Sequence, residues 1–238
     1  MGQGLDDGLG GPVQDVHHQT GPTGVMLHYH HVLAGSPRSW QLKIILQLHV
    51  GDRLAAQLRR RYPGADITVV IRGKGGEDAP EMMKRLQTEV IDMHPDMVIW
   101  QVGTNAVLRN LDVAETAKLV EDGVARIQAA GANVVLVDPQ YSPRVNERAE
   151  NAGKMIKVLS RIAELRHVGI FPRFEVMRDW HEKQSIPIDT FVIADGLHMN
   201  DWGYACFAQL LGDDIIRSVG QIKLGVAVPS DVRTYRPM

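Results

Sequence analysis

The run Asp195-Gly196-Leu197-His198 sets a carboxylate three residues before an imidazole. At that separation the chain can turn back so that the carboxylate accepts from the ring Nδ1–H. This would fix the tautomer, stabilise the imidazolium and leave Nε2 facing a cavity as a general base. The same spacing also suits a surface turn in which Asp195 caps a helix and His198 is incidental. A second group, Gly103-Thr104-Asn105, follows the apolar run Met97–Val102. An Asn at the end of a buried strand offers a neutral N–H donor, which can bind a developing oxyanion without neutralising a nearby base. Asn105 equally suits capping of the segment that follows. A third group, Gly73-Lys74-Gly75-Gly76-Glu77-Asp78, follows Ile67–Ile71. Its glycines let backbone N–H groups point into a cavity, and its spacing matches neither phosphate-loop fingerprint. Asp138-Pro139-Gln140-Tyr141 follows Asn133–Val137 and is placed to line a substrate pocket.

The elements that must position these groups are legible from Leu54 onward. Leu54–Arg61 has helical spacing and ends at the breaker pair Pro63-Gly64. Pro80–Met93 is amphipathic with a proline in its first turn. Val113–Ala130 is a helix closed by Gly131. Glu147–Val168, Phe174–Lys183 and Asp201–Val219 also read as helices, and Ile170-Phe171 as a strand stub. Short apolar strands alternating with helices predict a parallel sheet covered on both faces. In such sheets the active site lies at the carboxyl ends of the strands. All three groups are therefore expected on one rim.

Composition narrows the function. With 26 Lys+Arg against 28 Asp+Glu, formal net charge is −2, which argues against nucleic-acid binding through bulk positive charge. One cysteine, Cys206, excludes an internal disulfide framework and is expected to be buried and inert. No apolar run reaches the length that spans a bilayer, and the opening Met-Gly-Gln-Gly-Leu-Asp-Asp does not read as a secretory signal. Residues 1–24 hold seven glycines and are expected to be mobile. The domain is expected over residues 25–225, with a tail over 226–238.

With these groups in this chain order, the sequence resembles the SGNH (GDSL-type) esterase/lipase family, from about Arg53 to Val219. Four blocks of that family supply a Ser, a Gly, an Asn and a His in turn. Gly103-Thr104-Asn105 matches the third block and Asp195-Gly196-Leu197-His198 the fourth. Gly76 matches the oxyanion glycine of the second, with Ile71 where the family has Asn. The resemblance implies a three-layer α/β/α sandwich with a flavodoxin-like parallel sheet. It also implies hydrolysis of small-molecule carboxylic esters through an acyl-serine, with no metal or organic cofactor.

The first block departs from the pattern, because the chain has no Gly-Asp-Ser. Counting back from Leu54–Arg61 places the block near Leu33-Ala34-Gly35-Ser36-Pro37-Arg38-Ser39-Trp40, with Val25–Leu33 as its strand. Ser36 is the candidate nucleophile and Ser39 the alternative. Residues before Arg53 hold six of the ten histidines and no glutamate, and a shifted reading frame there would account for both. A rival reading keeps the fold but loses the nucleophile, so that the cleft only binds a small ligand. A further rival is a flavodoxin-like nucleotide-binding module using the Gly-rich loop. His28-Tyr29-His30-His31 has no acidic or Cys partner at a ligand-like spacing, which argues against a metal site there. Arg59-Arg60-Arg61 reads as a solvated helix end, and Trp100 and Trp202 as core or pocket wall.

Overall fold

The computed structural model describes residues 41–46 and 50–224, with side chains to residue 218. Val25–Leu33, Ser36, Ser39 and the His28–His31 cluster lie outside the described residues. The chain runs β1 (Gln41–Leu46), α1 (Gly51–Arg61), β2 (Asp66–Ile71), α2 (Ala79–Glu89), β3 (Met97–Gln101), α3 (Thr104–Leu108) and α4 (Val113–Ala129). It continues with β4 (Asn133–Val137), α5 (Pro143–Asn146), α6 (Ala149–Arg166), β5 (Gly169–Phe171), α7 (Arg173–Glu182) and α8 (Asp201–Leu224). The strands form one parallel sheet in the order β2-β1-β3-β4-β5. This is the flavodoxin-like order of a doubly wound fold.

Alternation along the strands divides the interior in two. Successive residues of a strand point to opposite faces. Ile44 and Leu46 of β1 and Met97 and Ile99 of β3 thus pack with Leu54 and Leu58 of α1, Met177 of α7 and Leu211 and Ile215 of α8. Ile45, Val98 and Trp100 point the other way, onto Leu86 of α2, Val120 and Val124 of α4 and Met155 and Leu159 of α6. Both faces are buried, which is why these strands read as continuous apolar runs rather than as alternating ones. The result is the three-layer α/β/α sandwich expected. Fully burying each such Leu, Ile or Met stabilises by about 1.5–3 kcal/mol.

Four elements differ from the sequence reading. β1 lies at Gln41–Leu46, in the middle of the sheet between β2 and β3. The expected helix over residues 80–93 ends at Glu89 and continues as a single 3₁₀ turn, Ile91–Met93. The short helices α3 and α5 follow β3 and β4 directly, too short to show a period. Arg59 is also not merely solvated: its guanidinium donates twice to the carbonyl of Ile67, at 3.1 and 2.7 Å, and so clamps α1 to β2.

Candidate active site

The loop before α8 is held as a tight reversal. Ile193 N–H donates to His198 O at 2.9 Å, Val192 and Met199 form an antiparallel bridge, and Gly196 takes φ +67° at the tip. Within it, Asp195 Oδ1 accepts from the backbone N–H groups of Leu197 (2.8 Å) and His198 (3.0 Å), and Oδ2 lies 2.6 Å from His198 Nδ1. Its three hydrogen-bond contacts are thus used within the turn and on the imidazole. The cap of α8 is instead Asn200, whose Oδ1 accepts from Gly203 N–H at 2.9 Å while its amide donates to Thr190 O. The His198 hydrogen bond, helped by the Leu197 N–H, holds the Asp195 carboxyl down at about 2. In the neutral ring, Nδ1–H donating to this carboxylate leaves the lone pair on Nε2. The His198 side chain is 59% exposed, so the ring is open to a solute.

Asn105 sits in the first turn of α3, at the carboxyl end of β3. The peptide turns there through Gly103, at φ +96°, where a Cβ would stand 2.7 Å from Met155 Cγ of α6. Only glycine meets both demands. The Asn105 amide donates to Glu77 O at 2.9 Å. That bond uses one of its two N–H groups and leaves the other to meet a ligand. It also ties α3 to the Gly-rich loop after β2.

That loop is anchored on both sides of Gly76, which has φ +79°. Arg109, half exposed, donates to Gly76 O at 2.8 Å and pairs with the Asp78 carboxylate. Glu77 takes a bidentate grip from Arg85 of α2, with N–O distances of 2.6 to 3.1 Å. Asp78 N–H in turn donates to Glu81 in the first turn of α2. The Gly76 N–H has no hydrogen-bond partner among the described residues, so it is available to an anion.

Beneath the rim lies a buried polar floor. Arg173, 2% exposed at the start of α7, donates to Asp138 O (3.1 Å), to Gln101 Oε1 (2.9 Å) and to Thr104 Oγ1 (3.4 Å). It thereby joins the ends of β3, β4 and β5. Burial lowers the Arg173 guanidinium to about 10. Burial pushes the Asp138 carboxyl up to about 7, against the opposing effect of the Phe174 N–H that it accepts. Gln140 is likewise buried, so it does not line an open pocket as expected. Tyr141, beside it, is partly exposed and packs edge-on against Phe174 at 5.3 Å.

The sequence reading did not single out Arg109, Arg85 or Arg173. A charged residue one proline beyond the apolar stub Gly169–Phe171 was the available signal for Arg173. Cys206 is half-buried rather than fully so, and burial raises its thiol, keeping it in the less reactive protonated form. Trp100 is core, and Trp202 packs on Trp180 at 5.8 Å. The outer side of the Asp195–His198 loop borders an open cleft of about 680 Å³, walled by Pro143, Ile188, Val192 and Ile193. Among the described residues no group of His, Cys, Asp and Glu is arranged to hold a metal ion, and no helix is long and apolar enough to cross a membrane.

A five-stranded parallel sheet in this order, with an Asp–His pair, an Asn and a Gly-rich turn on its carboxyl rim, defines a hydrolase of the SGNH/GDSL type. The chain belongs to the Non-GDSL lipase-like family, which it matches over residues 34–221. The match begins ahead of Arg53, where the resemblance first becomes visible in the residues themselves. An arylesterase of Vibrio mimicus is 23% identical over 155 residues, 65% of this chain and 72% of that protein. Among solved structures, a lipase/acylhydrolase of Enterococcus faecalis superposes with a TM-score of 0.61 at 24% identity, covering 75% of this chain and 95% of that one. An acetylxylan esterase of Geobacillus stearothermophilus gives 0.62 at 16% identity, covering 76% and 94%. At these identities the structural likeness is one of fold. Family and fold together place the chain among esterase- and lipase-like hydrolases.

Proposed function

We propose that the protein hydrolyses small carboxylic esters through an acyl-serine intermediate. The observation that carries this reading is the 2.6 Å contact between Asp195 Oδ2 and His198 Nδ1 on an open loop. It leaves Nε2 as a base at the same sheet rim as two unspent N–H donors, the Gly76 peptide and the Asn105 amide. His198 takes the proton of the attacking hydroxyl and returns it to the leaving alcohol. Asp195 keeps the ring in the productive tautomer and balances the imidazolium. Gly76, Asn105 and the nucleophile's own N–H receive the negative charge that develops on the carbonyl oxygen. Ser36, with Ser39 as the alternative, is the nucleophile the sequence offers; both precede Gln41, the amino end of β1, whereas Gly76 and Asn105 follow the carboxyl ends of strands, so this reading requires the chain ahead of β1 to bring one of them to the carboxyl rim.

One observation favours a second reading, in which the fold only binds a small ligand. From Gln41 to Ile67, which covers β1 and the connection beyond it, the sequence has no Ser, Thr or Cys. The carboxyl end of this central strand therefore supplies no hydroxyl or thiol of its own. A fluorophosphonate probe separates the two. Covalent labelling located by mass spectrometry on Ser36 or Ser39, together with aryl-ester hydrolysis lost in His198→Ala and reduced about 100- to 1,000-fold in Asn105→Ala, supports the enzyme. No labelled serine and no hydrolysis would leave the binding reading.

A further inference from the structure

Gln140 belongs to the stretch after β4 that the sequence marked as pocket lining, yet it is 6% exposed. Its amide bridges two of the three site loops. Gln140 Oε1 accepts from Thr104 Oγ1 at 3.0 Å, and Gln140 Nε2 donates to Leu197 O at 3.3 Å. Thr104 immediately precedes Asn105, and Leu197 immediately precedes His198. One side chain thus joins the residue beside the oxyanion amide to the residue beside the base, across 36 and 57 positions of sequence. No other hydrogen bond among the described residues links these two loops directly. Thr104 is itself 6% exposed, and its oxygen also receives Arg173 Nη2. The hydroxyl proton is therefore committed to Gln140 and its lone pair to Arg173, which fixes the direction of every bond in the chain.

We propose that Gln140 is a positioning residue that sets the spacing between the oxyanion donor Asn105 and the base His198. The proposal rests on the ester-hydrolase reading for its kinetic consequence, but its structural part stands on the bridge alone. Both loops are otherwise fastened to different elements. Asn105 is tied to the Gly-rich loop through Glu77 O, whereas the His198 loop is tied to α5 by Arg144 N–H on Gly196 O at 3.1 Å. Removing the bridge frees the two anchors to drift relative to each other. A displacement of about 1 Å between catalytic groups costs on the order of 100-fold in rate. A buried amide is also demanding, since each of its polar atoms must find a partner. A Gln with both ends satisfied in this place therefore acts as a spacer of fixed length.

The test uses the full chain and three substitutions: Gln140→Met, which keeps the shape and loses both bonds, Thr104→Val, which breaks the bridge from its other end, and Thr104→Ser, which keeps the hydroxyl. Hydrogen exchange by mass spectrometry is expected to show faster exchange in peptides covering both 103–108 and 193–199 in Gln140→Met and Thr104→Val. Peptides of α4 should be unchanged, and Thr104→Ser should resemble the parent. Towards an aryl ester, kcat is expected to fall about 10- to 100-fold with little change in KM. The double variant Gln140→Met/Thr104→Val should be hardly worse than either single one, because both cut the same link. Exchange that rises in one loop only or in neither, or multiplicative losses in the double variant, would overturn the proposal. If Gln140→Met does not fold, Thr104→Val reads the same bridge. A parent chain without hydrolytic activity would sink the ester reading, while the exchange pattern would still decide whether the bridge couples the loops.

Discussion

Replacing Asp195 by Asn separates what this carboxylate does for the imidazole from what it does for folding. Oδ1 accepts from two backbone N–H groups, at 2.8 and 3.0 Å, and an amide oxygen can keep both. The change falls on the second oxygen, 2.6 Å from His198 Nδ1. An amide nitrogen there is a donor, so it binds Nδ1 only when that atom is unprotonated. The ring proton then moves to Nε2, which can no longer accept from a nucleophile. A wrong tautomer of this kind costs about 10⁴-fold in kcat, equivalent to about 5.4 kcal/mol of transition-state stabilisation at 1.36 kcal/mol per decade. The stability cost is far smaller. For a pair this open to solvent, screening leaves less than about 1 kcal/mol, a fall in Tm of less than about 4 °C for a domain of this size. The pH dependence has a definite sign. The folded carboxyl lies at about 2, below its ordinary 3.8. Its contribution to stability is therefore present above about pH 4 and is lost as pH falls toward about 2. Hydrolysis of p-nitrophenyl acetate, measured with thermal unfolding of parent and variant from neutral pH downward, tests all three statements. A kcat for Asp195→Asn within tenfold of the parent would refute the orienting role. A loss of activity that merely tracks the unfolded fraction would refute it equally.

Two further expectations concern the interior. Asp138 is held at about 7 by burial, above its ordinary 3.8, so the folded chain keeps a proton that the unfolded chain has released. Stability should fall as pH rises from about 4 to about 7, by an amount on the order of a few kcal/mol. Asp138→Asn, which leaves Phe174 N–H an acceptor, should flatten that slope, and urea unfolding at acidic and at mildly alkaline pH would show it; an unaltered slope would count against the assignment. Gly123→Ala places a Cβ 2.5 Å from the buried Trp100 ring and 2.9 Å from Met83 Sδ. Overpacking of this kind costs about 1–3 kcal/mol, seen as a Tm several degrees lower by calorimetry, and an unchanged Tm would show that Trp100 can shift freely.

Much of the architecture was legible because its signals are local. Runs such as Met97–Gln101 and Asn133–Val137 are predominantly apolar because both faces of the sheet are covered. Asp112, whose side chain accepts from Ala114 and Glu115 N–H, and Gly131 at φ +88° mark the two ends of α4 within a residue or two of where the pattern put them. The Asp195–His198 pair was legible for the same reason, since a contact between residues three apart needs little beyond a turn. β1 was less legible. Gln41–Leu46 opens with polar Gln41 and carries Lys43, and its place between β2 and β3 depends on residues far along the chain. Lys43 is accommodated because its N–H donates to the Asp96 carboxylate at 2.6 Å and its ammonium donates to Met93 O.

Taken by itself, the amino-acid order determined the alternation of strands and helices and the parallel sheet, and it marked Gly76, Asn105, Asp195 and His198 as candidate rim groups. The elements rest on side-chain period and turn chemistry and the Asp195–His198 pair on short-range spacing, which are properties of neighbouring residues, while Gly76 and Asn105 were marked by the resemblance of their motifs. Only the tertiary structure decided that Asn105 spends one N–H on Glu77, that Arg109 secures Gly76, that Arg173 knits three strand ends together and that Gln140 spans from Thr104 to Leu197. Those are pairings between residues tens of positions apart. A hydrogen-bonding side chain carries no mark of which distant partner it will meet until folding has brought the two within about 3 Å.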